Sequence, residues 1–191
     1  GSEMCIRDRI RRARPSDNRQ IAKLCYIIWQ DMELELTQTF TKERVIEAIE
    51  LSIVNVKYRT YYEHIWVYEK EGVVAGCIIA YPGEKELDLE RQWLNLPLEE
   101  DIRELGTPLP QQEAYNDEIY IEAVATFPEY RGQGIATQLL KHLIDTDKHA
   151  KWSLNCDYDN EGAFKLYSKL GFKENGDIDL YGHQYHHMTL N

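Results

Sequence analysis

The sequence predicts a mixed α/β (α+β) domain. Apolar residues at helical spacing form stripes in several segments, and short runs of strand character separate them. One strand–turn–helix, residues 118–147, carries two glycines in its turn. No internal repeat or low-complexity tract interrupts the chain. At 191 residues with 43% hydrophobic content, a single domain over 1–191 is the expected organisation, and it can bury a core without cross-links.

The elements follow in order. Gly1-Ser2 reads as a cloning remnant and is set aside. A short strand around Ile10 ends at Arg14-Pro15-Ser16-Asp17, which supplies helix-start residues. Arg7, Arg9, Arg11, Arg12 and Arg14 could suggest a basic arm, but Asp8 and the acidic remainder favour a strand with polar flanks. Ile21, Leu24, Cys25 and Ile28 mark a first helix running to about Glu33. Thr41 resembles an N-cap, and Val45, Ile46, Ile49, Ile53 and Val56 continue as a second helical stripe. The period then changes: Ile65, Val67 and Val73 to Ala80 read as two strands joined at Glu71-Gly72.

Residues 82–117 hold four of the six prolines and an acidic stretch around Trp93. One or two short helices are expected over 85–105, in a segment that acts as a lid and shapes a cleft through Trp93 and its acidic neighbours. Ile119, Ile121 and Ala123-Val124-Ala125 make a buried strand that Pro128 stops. Ile135, Leu139, Leu140, Leu143 and Ile144 mark an amphipathic helix after the glycine turn. Trp152 to Cys156 is a short strand, and Asn160 begins a helix closed by Gly171. Alternation from Ile178 to Leu190 predicts two final strands.

Charge and composition exclude several roles. With 22 Lys+Arg against 33 Asp+Glu the net charge is −11, which argues against binding a nucleic-acid backbone. No apolar run approaches the roughly 20 residues a membrane span needs. The four cysteines, Cys5, Cys25, Cys77 and Cys156, show no metal-binding or disulfide spacing, so a reduced cytoplasmic setting is expected. His183, His186 and His187 fall on an alternating strand, where neighbours point to opposite faces; at most two could converge, so no metal site is expected. They read instead as surface or cleft histidines.

The glycine turn is the sharpest chemical signal. Two glycines leading into a helix N-terminus present unpaired N–H groups in one direction, which suits a phosphate. A P-loop pattern is absent, and Thr137 stands where a dinucleotide fingerprint needs Gly or Ala. The run Arg131-Gly132-Gln133-Gly134-Ile135-Ala136 resembles the acetyl-CoA signature R/Q-x-x-G-x-G/A of the GNAT superfamily of N-acetyltransferases. Downstream, Asn160, Ala163, Leu166, Tyr167, Gly171 and Phe172 match its second motif, N-x-x-A-x-x-L-Y-x-x-x-G-F.

That resemblance implies a twisted mixed sheet of about seven strands flanked by helices and splayed between the fourth and fifth. It implies acetyl transfer from acetyl-CoA to a primary amine by direct attack, without a metal. Arg131, Gly132, Gln133, Gly134, Ile135, Ala136 and Thr137 would cradle the pyrophosphate, and Val124, Ala125 and Thr126 would pair with the pantetheine arm. Asn160 would contact that arm near the splay. Tyr167 would protonate the departing thiolate; outside the motif it would read as a core tyrosine. Cys156 has no neighbouring His, so a covalent route is disfavoured.

The attacking ammonium must lose a proton. Glu118 and Glu122 are the candidate bases, and their even separation puts both on one strand face unless a bulge intervenes. Glu118 stands thirteen residues before Arg131, a spacing several family members share; Glu122 lies nearer the expected splay. They are ~13 Å apart along a strand, too far to touch one nitrogen. Glu118 is weighed slightly ahead as base, with Glu122 facing the substrate. The acceptor is read as a small-molecule amine, with a protein or peptide acceptor or a non-catalytic acetyl-CoA-binding module as alternatives. The chain is read as a monomer or homodimer.

Overall fold

β1 (Asp8–Arg12) opens a seven-stranded sheet in the order β1-β2-β3-β4-β5-β7-β6, seen in a computed structural model that describes residues 5–191. Gly1 and Ser2 lie outside those residues. Two arginines of β1 are held by acids: Arg9 and Arg11 pair with Glu69, and Arg11 forks onto Asp17 at 2.8 and 3.0 Å. α1 (Asn18–Asp31) ends before Glu33, which takes a positive φ of 56°, and a short α2 (Glu35–Thr39) follows that the sequence pattern did not reveal. α3 (Lys42–Val54) starts at Thr41, whose hydroxyl accepts from the Arg44 N–H.

β2 (Ile65–Lys70) and β3 (Val73–Pro82) form the expected hairpin. Glu71 and Gly72 both adopt positive φ, the pattern of the tight turns whose twist matches paired strands. α4 (Glu86–Arg91) and α5 (Glu100–Glu104) are the two short helices of the long connection. β4 (Ile119–Thr126), α6 (Ile135–Asp145), β5 (Trp152–Asp157), α7 (Glu161–Lys169), β6 (Lys173–Leu180) and β7 (His183–Leu190) complete the chain. β6 begins at Lys173, before the expected Ile178: Lys173 and Glu174 pair with Thr189 and Met188, but these first residues are exposed and carry no apolar alternation to mark them in the sequence.

Every strand pairing is antiparallel except β4 with β5. That parallel ladder consists of Ile119 with Trp152 and Tyr120 with Ser153; beyond it β4 and β5 diverge. The sheet separates two apolar layers. α1 and α3 cover one face with Ile21, Leu24, Ile46 and Ile49, all essentially inaccessible. α6 covers the other with Ile135, Leu139, Leu140 and Leu143. Period-two alternation in β3 sends Cys77 and Ile79 to the first layer and Ile78 to the second. Cys25 and Cys77 are buried as expected. No helix among the described residues is long and apolar enough to cross a membrane.

The expectation for Trp93 needs correction. It is 1% exposed and packs against Trp29 and Tyr58, at 5.9 and 5.2 Å between ring centroids. It anchors the 82–117 segment to the core and does not line a cleft; its aromatic bulk is buried among rings rather than offered to a ligand.

Candidate active site

The divergence of β4 from β5 opens a cavity of about 380 Å³. Val124, Cys156, Asn160, Ala163 and Tyr167 line it together with Trp29, Met32, Glu113, Glu122 and Tyr185. Each part of the lining is positioned by a local rule.

α7 is fixed at both ends. Asn160 caps its start, the side-chain oxygen accepting from the Ala163 N–H at 3.0 Å. At its end Gly171 adopts φ +104°, its N–H bonds the Ser168 carbonyl, and the Phe172 N–H bonds the Tyr167 carbonyl, each at 3.0 Å. This double closure is the Schellman arrangement, and the Phe172 ring meets Tyr167 edge-on, giving the accompanying apolar contact. Five motif residues thus have a structural explanation before any ligand is considered. Tyr167 is half-buried with its ring on the second apolar layer and its side chain on the cavity. Burial pushes its phenol pKa well up, with the Cys156 side chain adding to the shift, so it stays protonated. Cys156 is buried and its thiol is raised to about 11, chiefly by burial, which disfavours a thiolate nucleophile.

The turn after β4 sits outside the cavity. Gly132 and Gly134 take φ of +79° and +78°, and Gly134 is the residue that starts α6. A Cβ at Gly132 would meet nothing within 4 Å, so the space over the turn is open. Arg131 and Gln133 are exposed, the Arg131 Nε reaching the Thr126 carbonyl at 3.3 Å; Ile135 is buried and anchors the turn; Ala136 and Thr137 lie in the first turn of α6. On β4, Val124 lines the cavity, Ala125 pairs with Cys77, and Thr126 lies one residue beyond. Backbone donors at a helix start and a strand freed from its neighbour together fit a long ligand with a phosphate end and an amide-bearing arm.

Glu118 and Glu122 diverge. Ile79 pairs with Ala123 while Ala80 pairs with Ile121, so Glu122 is the extra residue of a β-bulge. The bulge breaks the even alternation and turns Glu122 into the cavity, where it accepts from the Tyr81 hydroxyl. Glu118 is 2% exposed and does not line the cavity. Its carboxylate lies 2.8 Å from Nε2 of His187 and accepts from the Tyr115 N–H at 2.9 Å. His187 is 3% exposed, so the reading of it as a surface or cleft histidine is corrected: its other ring nitrogen meets Asn155 at 2.6 Å. His183 and His186 stay partly exposed beside Asp157 and Glu174.

Behind Glu122 lies an arrangement that sequence reasoning missed. Arg59 is fully buried and faces four carboxylates: Glu90 at 2.5 Å, Glu86 at 3.0 Å, Glu122 at 3.4 Å and Glu113 at 3.7 Å. Glu86 also accepts from the N–H groups of Glu113 and Ala114, and Glu90 from that of Leu109. Glu113 accepts from the hydroxyls of Tyr120 and Tyr181, both at 2.7 Å. One guanidinium cannot neutralise four buried acids. Burial, opposed by Arg59 and reinforced by Glu113, raises the Glu122 pKa to about 7. Burial likewise raises Glu86. The available signals were an arginine inside the aromatic run Tyr58–Tyr62 and two acids one helical turn apart at 86 and 90.

Comparison with known proteins agrees with this geometry. The family model described as "Acetyltransferase (GNAT) family" matches residues 23–172. The solved N-acetyltransferase from Staphylococcus aureus Mu50 is 56% identical and superposes with a TM-score of 0.94, covering 95% of this chain and 100% of that one. A second solved acetyltransferase is 33% identical with a TM-score of 0.82, covering 95% and 97% of the two chains. Among curated proteins, N-alpha-acetyltransferase 30 of Schizosaccharomyces pombe is 43% identical over 56 residues, which span 28% of this chain and 37% of that relative. A family match over most of the chain, a sheet splayed between β4 and β5, and a glycine turn ahead of α6 make one conclusion: the chain belongs to the GNAT family of acetyl-CoA-dependent N-acetyltransferases.

Proposed function

We propose that this protein transfers the acetyl group of acetyl-CoA directly to a primary amine of a small molecule, with Glu122 as general base and Tyr167 as general acid. The observation that carries the reading is that both groups line one cavity, Glu122 with its carboxyl raised to about 7 and Tyr167 with its phenol kept neutral by burial. A carboxyl poised at about 7 accepts a proton from an ammonium near neutral pH, and a phenol kept neutral has a proton to give. The amine nitrogen bonds the acetyl carbon, the carbon–sulfur bond breaks, the amine proton passes to Glu122, and Tyr167 protonates the thiolate. The turn 131–137 would hold the pyrophosphate, Val124 to Thr126 and Asn160 the pantetheine arm. Glu118 takes a positioning role, since its carboxylate is engaged by His187 and Tyr115.

A second reading, transfer to a peptide α-amine, draws on the name of the Schizosaccharomyces pombe relative. A panel of small amines and N-terminal peptides, scored by thiol release from acetyl-CoA, separates the two. Small amines should be acetylated and peptides should not; a kcat/KM higher for peptides overturns the small-molecule acceptor.

A further inference from the structure

The lining of the cavity is chemically one-sided. Five of its side chains are carboxylates, Asp31, Glu113, Glu122, Asp157 and Asp159, and among the described residues no Lys, Arg or His lines it. They are graded by depth. Glu113 and Glu122 are buried, Asp157 is half-buried, and Asp31 and Asp159 are exposed at the mouth. Trp29, Met32 and Leu180 supply apolar surface between them. The basic groups behind this lining are Arg59, shared among four acids, and His183, which lies 3.3 Å from Asp157 and 3.2 Å from Glu33.

A second observation points to a missing partner. Tyr185 lines the same cavity, is 7% exposed, and its buried hydroxyl has no hydrogen-bond partner among the described residues. It stands opposite Asp157 in the β5–β7 ladder. A buried hydroxyl left without a partner is costly, and buried polar groups of this kind are ordinarily satisfied. An ammonium offers N–H donors to that oxygen and to the neighbouring carboxylates at once, and the ring face adds attraction for a cation.

Resting on the acetyltransferase reading above, we propose that the acceptor is an oligoamine. Its reacting amine meets Glu122, its methylene chain lies along Trp29, Met32 and Leu180, and a second ammonium is held by Tyr185 and Asp157 with Asp31 and Asp159 at the mouth. The site thus selects for a second positive charge at a distance from the first.

The test pairs 1,4-diaminobutane with butylamine, which has the same chain and one ammonium. With acetyl-CoA saturating, kcat/KM for the diamine, halved for its two equivalent amines, should exceed that for butylamine about tenfold or more, the scale of a hydrogen-bonded charge contact. Replacing Asp31 and Asp157 together (Asp31→Asn, Asp157→Asn) should shrink that ratio to about twofold. Tyr185→Phe, which keeps the ring, should shrink it partway. Equal kcat/KM for the two amines in the wild-type chain overturns the proposal while leaving acetyl transfer intact. Calorimetric titration of each amine into the protein with coenzyme A present makes the two failures distinct. Diamine binding that butylamine lacks, without turnover of either, supports the cation site and overturns the reaction; no selective diamine binding overturns the cation site.

Discussion

The two walls of the β4–β5 splay are made of different material. The wall proposed for acetyl-CoA is mostly backbone: a turn with two positive-φ glycines, the start of α6, and the part of β4 that β5 no longer pairs. The wall proposed for the acceptor is side chains gathered from separate stretches: Glu113, Glu122 and Tyr185 line it, and Arg59, Glu86 and Glu90 lie behind them. A backbone site is encoded where it stands, because each conformation demands particular residues at fixed spacing. A side-chain site is encoded by the fold that assembles it. The first wall is therefore tolerant of charge and intolerant of a Cβ in the wrong place, and the second is the reverse.

The largest effect should come from removing the cation at the centre of the acceptor wall. Arg59→Met leaves Glu86, Glu90, Glu113 and Glu122 buried without their counter-charge. Losing one partner of a buried charge set costs about 3–5 kcal/mol, and urea denaturation should show a loss of that size. Stability close to wild type would mean that the four acids are already mostly protonated, and the contrast between the walls would lose its electrostatic half.

Next in size is the pair of cavity-lining groups proposed as base and acid, Glu122 and Tyr167. Glu122→Gln keeps an acceptor for Tyr81 but cannot take a proton, so kcat/KM should fall about 10²–10⁴-fold. In the wild type kcat/KM should rise with pH through an apparent pKa of about 7, and the variant should lack that limb. Stability carries the same signature with a definite sign. The raised Glu122 pKa means the folded chain holds a proton that the unfolded chain releases, so its contribution is full below the ordinary carboxylate range and is lost as pH rises through about 7. Melting temperatures across that interval should decline less in Glu122→Gln than in wild type. Tyr167→Phe keeps the edge-on contact with Phe172 and removes the hydroxyl; kcat should fall about 10²-fold with acetyl-CoA affinity little changed.

On the other wall, Gly134→Val puts a β-branched residue at φ +78°. The strain displaces the donors at the start of α6, and acetyl-CoA affinity measured by calorimetry should weaken about tenfold or more while the acceptor KM moves little. An acceptor KM that rises in step would mean that the two walls do not act separately.

This contrast also explains how much was legible in the sequence. The alternation of β3, the Glu71-Gly72 hairpin, the stripes of α1, α3 and α6, and both motifs follow from local periodicity and special backbone angles. The expectations that failed concern long-range placement. The length of the 82–117 segment points to a cleft-shaping role for Trp93; only the packing against Trp29 and Tyr58 shows it as core. Arg59 gives no periodic signal, since its carboxylate partners lie 27 to 63 residues away. The bulge that separates Glu118 from Glu122 depends on register against β3, which spacing within one strand does not contain.

The smallest predicted effect is the one that decides between those two carboxylates. Glu118 had the expected spacing from the turn, and the structure gives it other work: it is buried, it meets His187, and it accepts the Tyr115 N–H. His187 in turn meets Asn155, and the Asn155 amide donates to the Glu113 carbonyl and to the Tyr120 hydroxyl. Through that chain, in the positioning role proposed for it, Glu118 would set the position of Tyr120 and Glu113 without touching a reacting atom. Glu118→Gln retains an oxygen for Tyr115 and for a donating His187, so kcat should change by no more than about threefold and the acidic limb of kcat/KM should keep its apparent pKa of about 7. The acceptor KM should rise modestly, because Glu113 loses part of its support. His187→Gln should reproduce that KM change, since both act through Asn155. A Glu118→Gln variant that loses the acidic limb, with Glu122→Gln retaining it, would exchange the roles of the two carboxylates. The bulge at Glu122 would then be a feature of the acceptor wall alone.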